Sequence, residues 1–152
     1  MPHEADVHEP DTGWLLARAS HALASAVAAR LRDLGLSLRG YVVLTAALDR
    51  PLPQQALAGA TGLDKTTMVV TVDELAAAGL VERRPDPADR RVRLVAVTAA
   101  GRATLGRAWS VVRTTEDELL GDLGEERAVL RRLLLTALDG RLGAHSGGGS
   151  CV

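Results

Sequence analysis

The chain has 152 residues, enough for one domain with short extensions, and Ala and Leu, both strong helix formers, supply 25 residues each. With no Phe, no Ile, one Tyr and two Trp, it lacks the residues that would build an all-β sandwich or barrel. Hydrophobic content of 47% excludes wholesale disorder, and a net charge of -1 excludes a molecule-wide basic field, so any attraction to a polyanion has to be local.

Residues 1–12 are polar and irregular and are expected to be a flexible N-terminus. A first helix is predicted from about Gly13 to Asp33, with Leu16, Ala19, Leu23, Val27 and Leu31 spaced by threes and fours, and Gly35 ends it. Ser37 is a good N-cap for a second helix carrying Tyr41, Leu44 and Leu48. Asp49 to Pro53 reads as a turn. A short third helix is predicted over Gln54–Ala60, with Gly62 suited to the left-handed position after it. Asp64 caps a fourth, about Lys65 to Ala78, closed by Gly79. Extended segments over 80–84 and 91–97 flank Pro85-Asp86-Pro87-Ala88-Asp89-Arg90, whose two prolines and two aspartates are turn chemistry, so a hairpin is predicted. Its second strand is apolar on both faces, which weakens the alternation signal. Thr98 caps a long fifth helix with Leu105, Trp109, Val112 and Leu119 on one stripe. Gly124 separates it from a sixth, Glu125 to about Leu142, before a Gly/Ser tail over 144–152.

Two short helices joined by Thr61-Gly62-Leu63 and followed by a hairpin describe a winged helix-turn-helix. The fold class is therefore mainly α with a small β-hairpin: a winged helix-turn-helix plus a terminal-helix dimerisation region. On the fourth helix, Met68, Val72 and Leu75 share an inward face with Thr71 at its edge. The opposite face presents Thr66, Val69, Val70 and Asp73, with Lys65 and Thr67 on the shoulders. Lys65, Thr66, Thr67, Val69 and Val70 are the major-groove candidates: hydroxyls and the ammonium bond base edges or phosphate, and methyls touch thymine methyls. A plain amphipathic helix, or a protein-binding one, would also show two exposed valines.

Between Leu80 and Arg113 stand eight arginines (83, 84, 90, 91, 93, 102, 107 and 113) against Glu82, Asp86 and Asp89, while acidic residues gather at 1–12 and 116–126. Positive charge on a protruding turn repels itself unless phosphates neutralise it, and an arginine there can enter a narrow minor groove.

Residues 37–101 resemble the MarR family of winged-helix regulators. The resemblance is carried by Thr61-Gly62-Leu63-Asp64-Lys65-Thr66-Thr67-Met68, by Leu75 to Arg83, and by Asp86-Pro87-Ala88-Asp89-Arg90-Arg91 running on to Val97-Thr98-Ala99-Ala100-Gly101. It implies a homodimer in which the first, fifth and sixth helices interlock. It also implies a wing, Arg84, Asp89, Arg90 and Arg91, in which Asp89 orients Arg91 toward the minor groove. Many relatives carry an arginine where this chain has Val70, which implies a different base readout. The resemblance further implies a small phenolic or lipophilic effector, with Trp14, Arg18, His21, Tyr41 and Trp109 as candidate pocket residues. A packing role for all five stands beside that reading.

The dimer is expected from the residues alone. The apolar stripes of the terminal helices exceed what a winged unit of some 60 residues covers, and a two-fold interface is the commonest remedy. The organisation expected is a dimerisation helix at 13–36, a DNA-binding unit at 37–98 and dimerisation helices at 99–143. Two recognition helices about 34 Å apart would select a near-palindromic double-stranded operator. The lone Cys151 permits no intramolecular disulfide, sits beside no cation that would activate it, and points with the absence of a leader or membrane-length apolar stretch to the cytoplasm. His3, His8, His21 and His145 are too scattered for a zinc site. No cofactor and no catalytic constellation is predicted. The reading is a DNA-binding regulator, a repressor released by a ligand. The alternative is a helical protein-interaction module that keeps the fold without specific DNA binding.

Overall fold

A computed structural model describes residues 10–139. Its elements run α1 (Thr12–Leu31), a 3-10 turn over Arg32–Leu34, α2 (Leu38–Ala47), β1 (Leu52–Pro53), α3 (Gln54–Thr61), α4 (Lys65–Ala77), β2 (Val81–Pro85), β3 (Arg93–Val97), α5 (Ala99–Leu120), a second 3-10 turn over Gly121–Leu123, and α6 (Glu126–Ala137). The expected glycine tail with Cys151, the end of the sixth helix near Leu142, and His3, His8 and His145 lie outside the described residues. Within them, Asp11 caps the first helix: its carboxylate accepts from the Trp14 N–H at 2.9 Å, and α1 starts at Thr12.

The predicted caps are made. Ser37, Asp64 and Thr98 each accept from the main-chain N–H three residues on, satisfying donors that the first helical turn leaves orphaned. Gly35, Gly62 and Gly79 end their segments at positive φ.

The Asp49–Pro53 segment departs from the turn expected there. Leu52 and Pro53 form a short edge strand opposite Val95 and Leu94, giving a three-stranded antiparallel sheet in the order β1-β3-β2. Proline is tolerated at such an edge, where its missing N–H breaks no central ladder. The hairpin register sets Val81 against Val97 and Pro85 against Arg93. As the central strand, β3 is covered over Val95–Val97, which explains the apolar residues on both of its faces.

One core holds the unit together. Val27 and Leu31 of α1, Val43 and Leu44 of α2, Leu57 of α3, Met68, Val72 and Leu75 of α4, Val81 and Val95 of the sheet, and Leu105 and Ala108 of α5 pack in a single cluster. Thr71, expected at the edge, is fully buried. Its hydroxyl donates to the Thr67 carbonyl at 2.7 Å, so burial leaves no unsatisfied group. Polar bridges fasten the outer helices: Arg30 of α1 donates to Thr115 of α5 at 3.0 Å and pairs with Glu118, and Arg127 of α6 reaches Glu116 at 3.1 Å and Asp117.

The start of α5 is joined closely to the base of the hairpin. The Thr98 N–H donates to the Leu80 carbonyl at 3.1 Å, and the Thr98 hydroxyl donates to the Gly79 carbonyl at 2.7 Å. Gly101 lies against the same peptide: a Cβ there would sit 2.0 Å from the Leu80 oxygen.

Candidate nucleic-acid interface

The turn between α3 and α4 is held by side chains reaching their own backbone. The Thr61 hydroxyl donates to the Leu57 carbonyl at 2.7 Å, and Gly62 adopts φ +72°. Asp64 accepts the Thr67 N–H at 2.9 Å and the Thr67 hydroxyl at 2.6 Å. These bonds, the hydroxyl's foremost, hold the Asp64 carboxyl below its ordinary value. Thr67 is therefore half-buried with its proton committed to the cap, while Lys65 and Thr66 are exposed.

With Met68, Thr71, Val72 and Leu75 buried, the opposite face of α4 presents Thr66, Val69, Val70 and Asp73. Val69 is 39% and Val70 44% exposed. Asp73 is engaged sideways: Arg83 of β2 binds its carboxylate at 2.5 Å and donates to the Gln54 side chain of α3 at 3.3 Å. This three-element clasp was not legible in the sequence, where Arg83 was one more arginine in a basic run.

At the hairpin tip, Asp86 accepts the Ala88 N–H at 2.8 Å, and its own N–H donates to the Val92 carbonyl at 2.9 Å. Asp89 and Arg91 do meet, but through the backbone: the Asp89 carboxylate accepts the Arg91 main-chain N–H at 3.0 Å. That bond shapes the turn from which Arg91 projects. Arg90 and Arg91 are exposed, and among the described residues neither guanidinium has an ion-pair partner; Arg84 pairs with Glu82 along its own strand. Through Arg83, the strand that leads to the tip is tied to α4.

The five ligand candidates lie on three helices, α1, α2 and α5. Trp14 and Arg18 meet on α1, with the guanidinium carbon 5.0 Å from the ring centroid, and both are exposed, as are His21 and Trp109. Tyr41 packs half-buried against the core, and burial raises its phenol above the ordinary value, so it is neutral near pH 7. Two concavities lie elsewhere, one along α6 and one of about 230 Å³ between the start of α2 and the end of α4. Neither is lined by any of the five. Among the described residues no group of three His, Cys, Asp or Glu side chains gathers as a metal site, and no helix is long and apolar enough to cross a membrane.

The sequence profile of the MarR family matches residues 34–92. Transcriptional regulator HosA of Escherichia coli O111:H- is 36% identical over 96 residues, 62% of this chain and 71% of HosA. The chain belongs to the MarR family. Its fold is that of the family's solved members: CouR from Rhodococcus jostii RHA1, bound to p-coumaroyl-CoA, matches with a TM-score of 0.76 at 30% identity over 93% of this chain and 96% of CouR. The transcriptional repressor CouR bound to a 23-mer DNA duplex matches at 0.74 and 27% identity, over 86% of this chain and 93% of that one. Like these MarR proteins, the chain is a DNA-binding transcriptional regulator, and the relatives' names describe regulators rather than enzymes.

Proposed function

We propose that the protein is a homodimeric repressor of the cytoplasm that grips a near-palindromic operator and releases it when a small ligand binds. The observation that carries this reading is the wing tip: two exposed arginines without ion-pair partners among the described residues, on a turn held by Asp89 beside an outward-facing α4. Lys65, Thr66, Thr67, Val69 and Val70 address the major groove, and Arg84, Arg90 and Arg91 the backbone and minor groove. Arg84 exchanges Glu82 for phosphate on binding. The DNA-bound and ligand-bound CouR structures support both halves of the proposal.

Dimerisation falls to 13–36 and 99–143, with 37–98 on the DNA. It is supported by α6, which has no buried residue in a single chain. In the dimer, Trp14, Arg18, His21, Tyr41 and Trp109 would line the ligand site between the dimerisation helices and the winged unit. An effector that lowers DNA affinity 100-fold needs about 2.7 kcal/mol of preference for the released form, within the usual range of coupling between sites.

Arg91→Ala tests the wing. It is expected to weaken binding to the intergenic DNA flanking the gene more than tenfold, about 1.4 kcal/mol, in an electrophoretic shift assay while sedimentation shows an intact dimer. Undiminished binding would remove the wing from the interface. A dimer that binds none of that DNA at low salt would favour the protein-interaction alternative, for which the exposed Val69 and Val70 are the best support.

A further inference from the structure

Recognition helices commonly read bases with side chains that form paired hydrogen bonds: Arg or Lys on guanine, Asn or Gln on adenine, a carboxylate on cytosine. The outward row of α4, Thr66, Val69, Val70 and Asp73 at spacing i, i+3, i+4 and i+7, contains no amide and no guanidinium. Its one carboxylate, Asp73, is held by Arg83 at 2.5 Å. On the shoulder, Thr67 gives its hydroxyl proton to Asp64 at 2.6 Å. Lys65 stands at the first helical position, one end of the row rather than its middle. The centre of the face is left to two isopropyl groups, 39% and 44% exposed, and to the methyl and hydroxyl of Thr66 beside them.

An apolar pair in the middle of a groove-facing surface needs an apolar partner. In the major groove of duplex DNA the base edges offer one alkyl group, the C5-methyl of thymine, among their donors and acceptors. We infer that Val69 and Val70 read thymine methyl groups, so that the bases under the middle of α4 are chosen by methyl contact and not by a hydrogen-bond pattern. This inference rests on the DNA-binding reading above and specifies which base it selects. The Arg83 clasp serves the same end. It engages with an arginine the Asp73 carboxylate, which would otherwise repel phosphate and accept from cytosine, and leaves the valines as the apolar middle of the face.

The test uses the full chain and a duplex that the protein itself enriches from a random-sequence pool. Each thymine of a half-site is replaced in turn by deoxyuridine, which removes only the C5-methyl and keeps both the base pairing and the minor-groove edge that the wing meets. At one or two thymines per half-site the replacement is expected to weaken binding about fourfold for each methyl group that a valine had covered. Val69→Ala and Val70→Ala, both clear of the core, are expected to bind thymine and uracil duplexes alike at the matching position. Equal affinity of the unaltered protein for every uracil duplex and the parent would overturn the inference while leaving DNA binding intact. So would alanine variants that still distinguish the two bases. Failure to enrich any duplex would instead overturn the DNA-binding reading itself.

Discussion

The winged unit and the last helix are both rich in apolar residues, yet they end in opposite states. Leu57, Met68, Val72, Val81 and Val95 are shut from water by neighbours within the chain. On α6 and its C-cap, Leu133 is 60% and Leu138 56% exposed, Val129, Leu134 and Leu135 stand out as well, and no residue of the helix is buried. Composition does not separate the two regions; the presence of a facing surface does. The winged unit folds three helices over a sheet and supplies its own partner for every apolar face but that of Val69 and Val70. The last helix is tethered through Arg127 and otherwise leaves its leucines for another molecule to cover.

The joint between the regions is where this contrast can be broken with the largest effect. Gly101→Ala forces a methyl onto the Leu80 carbonyl, a backbone atom that cannot swing aside, and is expected to cost about 3 kcal/mol or more in urea unfolding. A change below about 0.5 kcal/mol, the size of an ordinary surface substitution, would show that the junction gives way easily. Next in size is a charged face on α6. Leu133→Glu with Leu138→Glu should leave the fold of one chain nearly unchanged while weakening self-association at least tenfold, about 1.4 kcal/mol, by sedimentation. A double variant that associates as tightly as the parent would place the interface elsewhere. The smallest effect sharpens the account of the winged unit. Because Asp64's carboxyl titrates below its ordinary value when folded, its charge stabilises α4 above the unfolded carboxylate range, and that contribution fades as pH falls through the folded value. Asp64→Asn keeps an amide oxygen for the cap but removes the titration. Its melting temperature should fall less between pH 6 and pH 3 than the parent's; identical falls would assign the acid sensitivity to other carboxylates.

The parts of the fold that were legible were those set by local chemistry. Ser37, Asp64 and Thr98 announced helix starts because a short polar side chain satisfies orphan N–H groups within three residues, and Gly62 and Gly79 marked ends because they tolerate positive φ. The inward and outward faces of α4 followed from a 100° repeat. What escaped depended on distant partners. Leu52-Pro53 looks like a turn until Val95 lies opposite it. Thr71 sits at the margin of the apolar arc, and only the packed neighbours decide that it is buried. Arg83, on a strand, finds Asp73 and Gln54 on two different helices. At the wing, spacing brought Asp89 and Arg91 together, but whether the carboxylate met a guanidinium or an amide was a matter of turn geometry.

Thr98 closes the sheet, opens α5 and fastens the loop behind α4, all through one residue's hydroxyl and amide. The consequence is mechanical: α5 works as an axle keyed to its wheel. A roll of that helix would therefore pull on the base of the hairpin and on the end of α4 at the same residue.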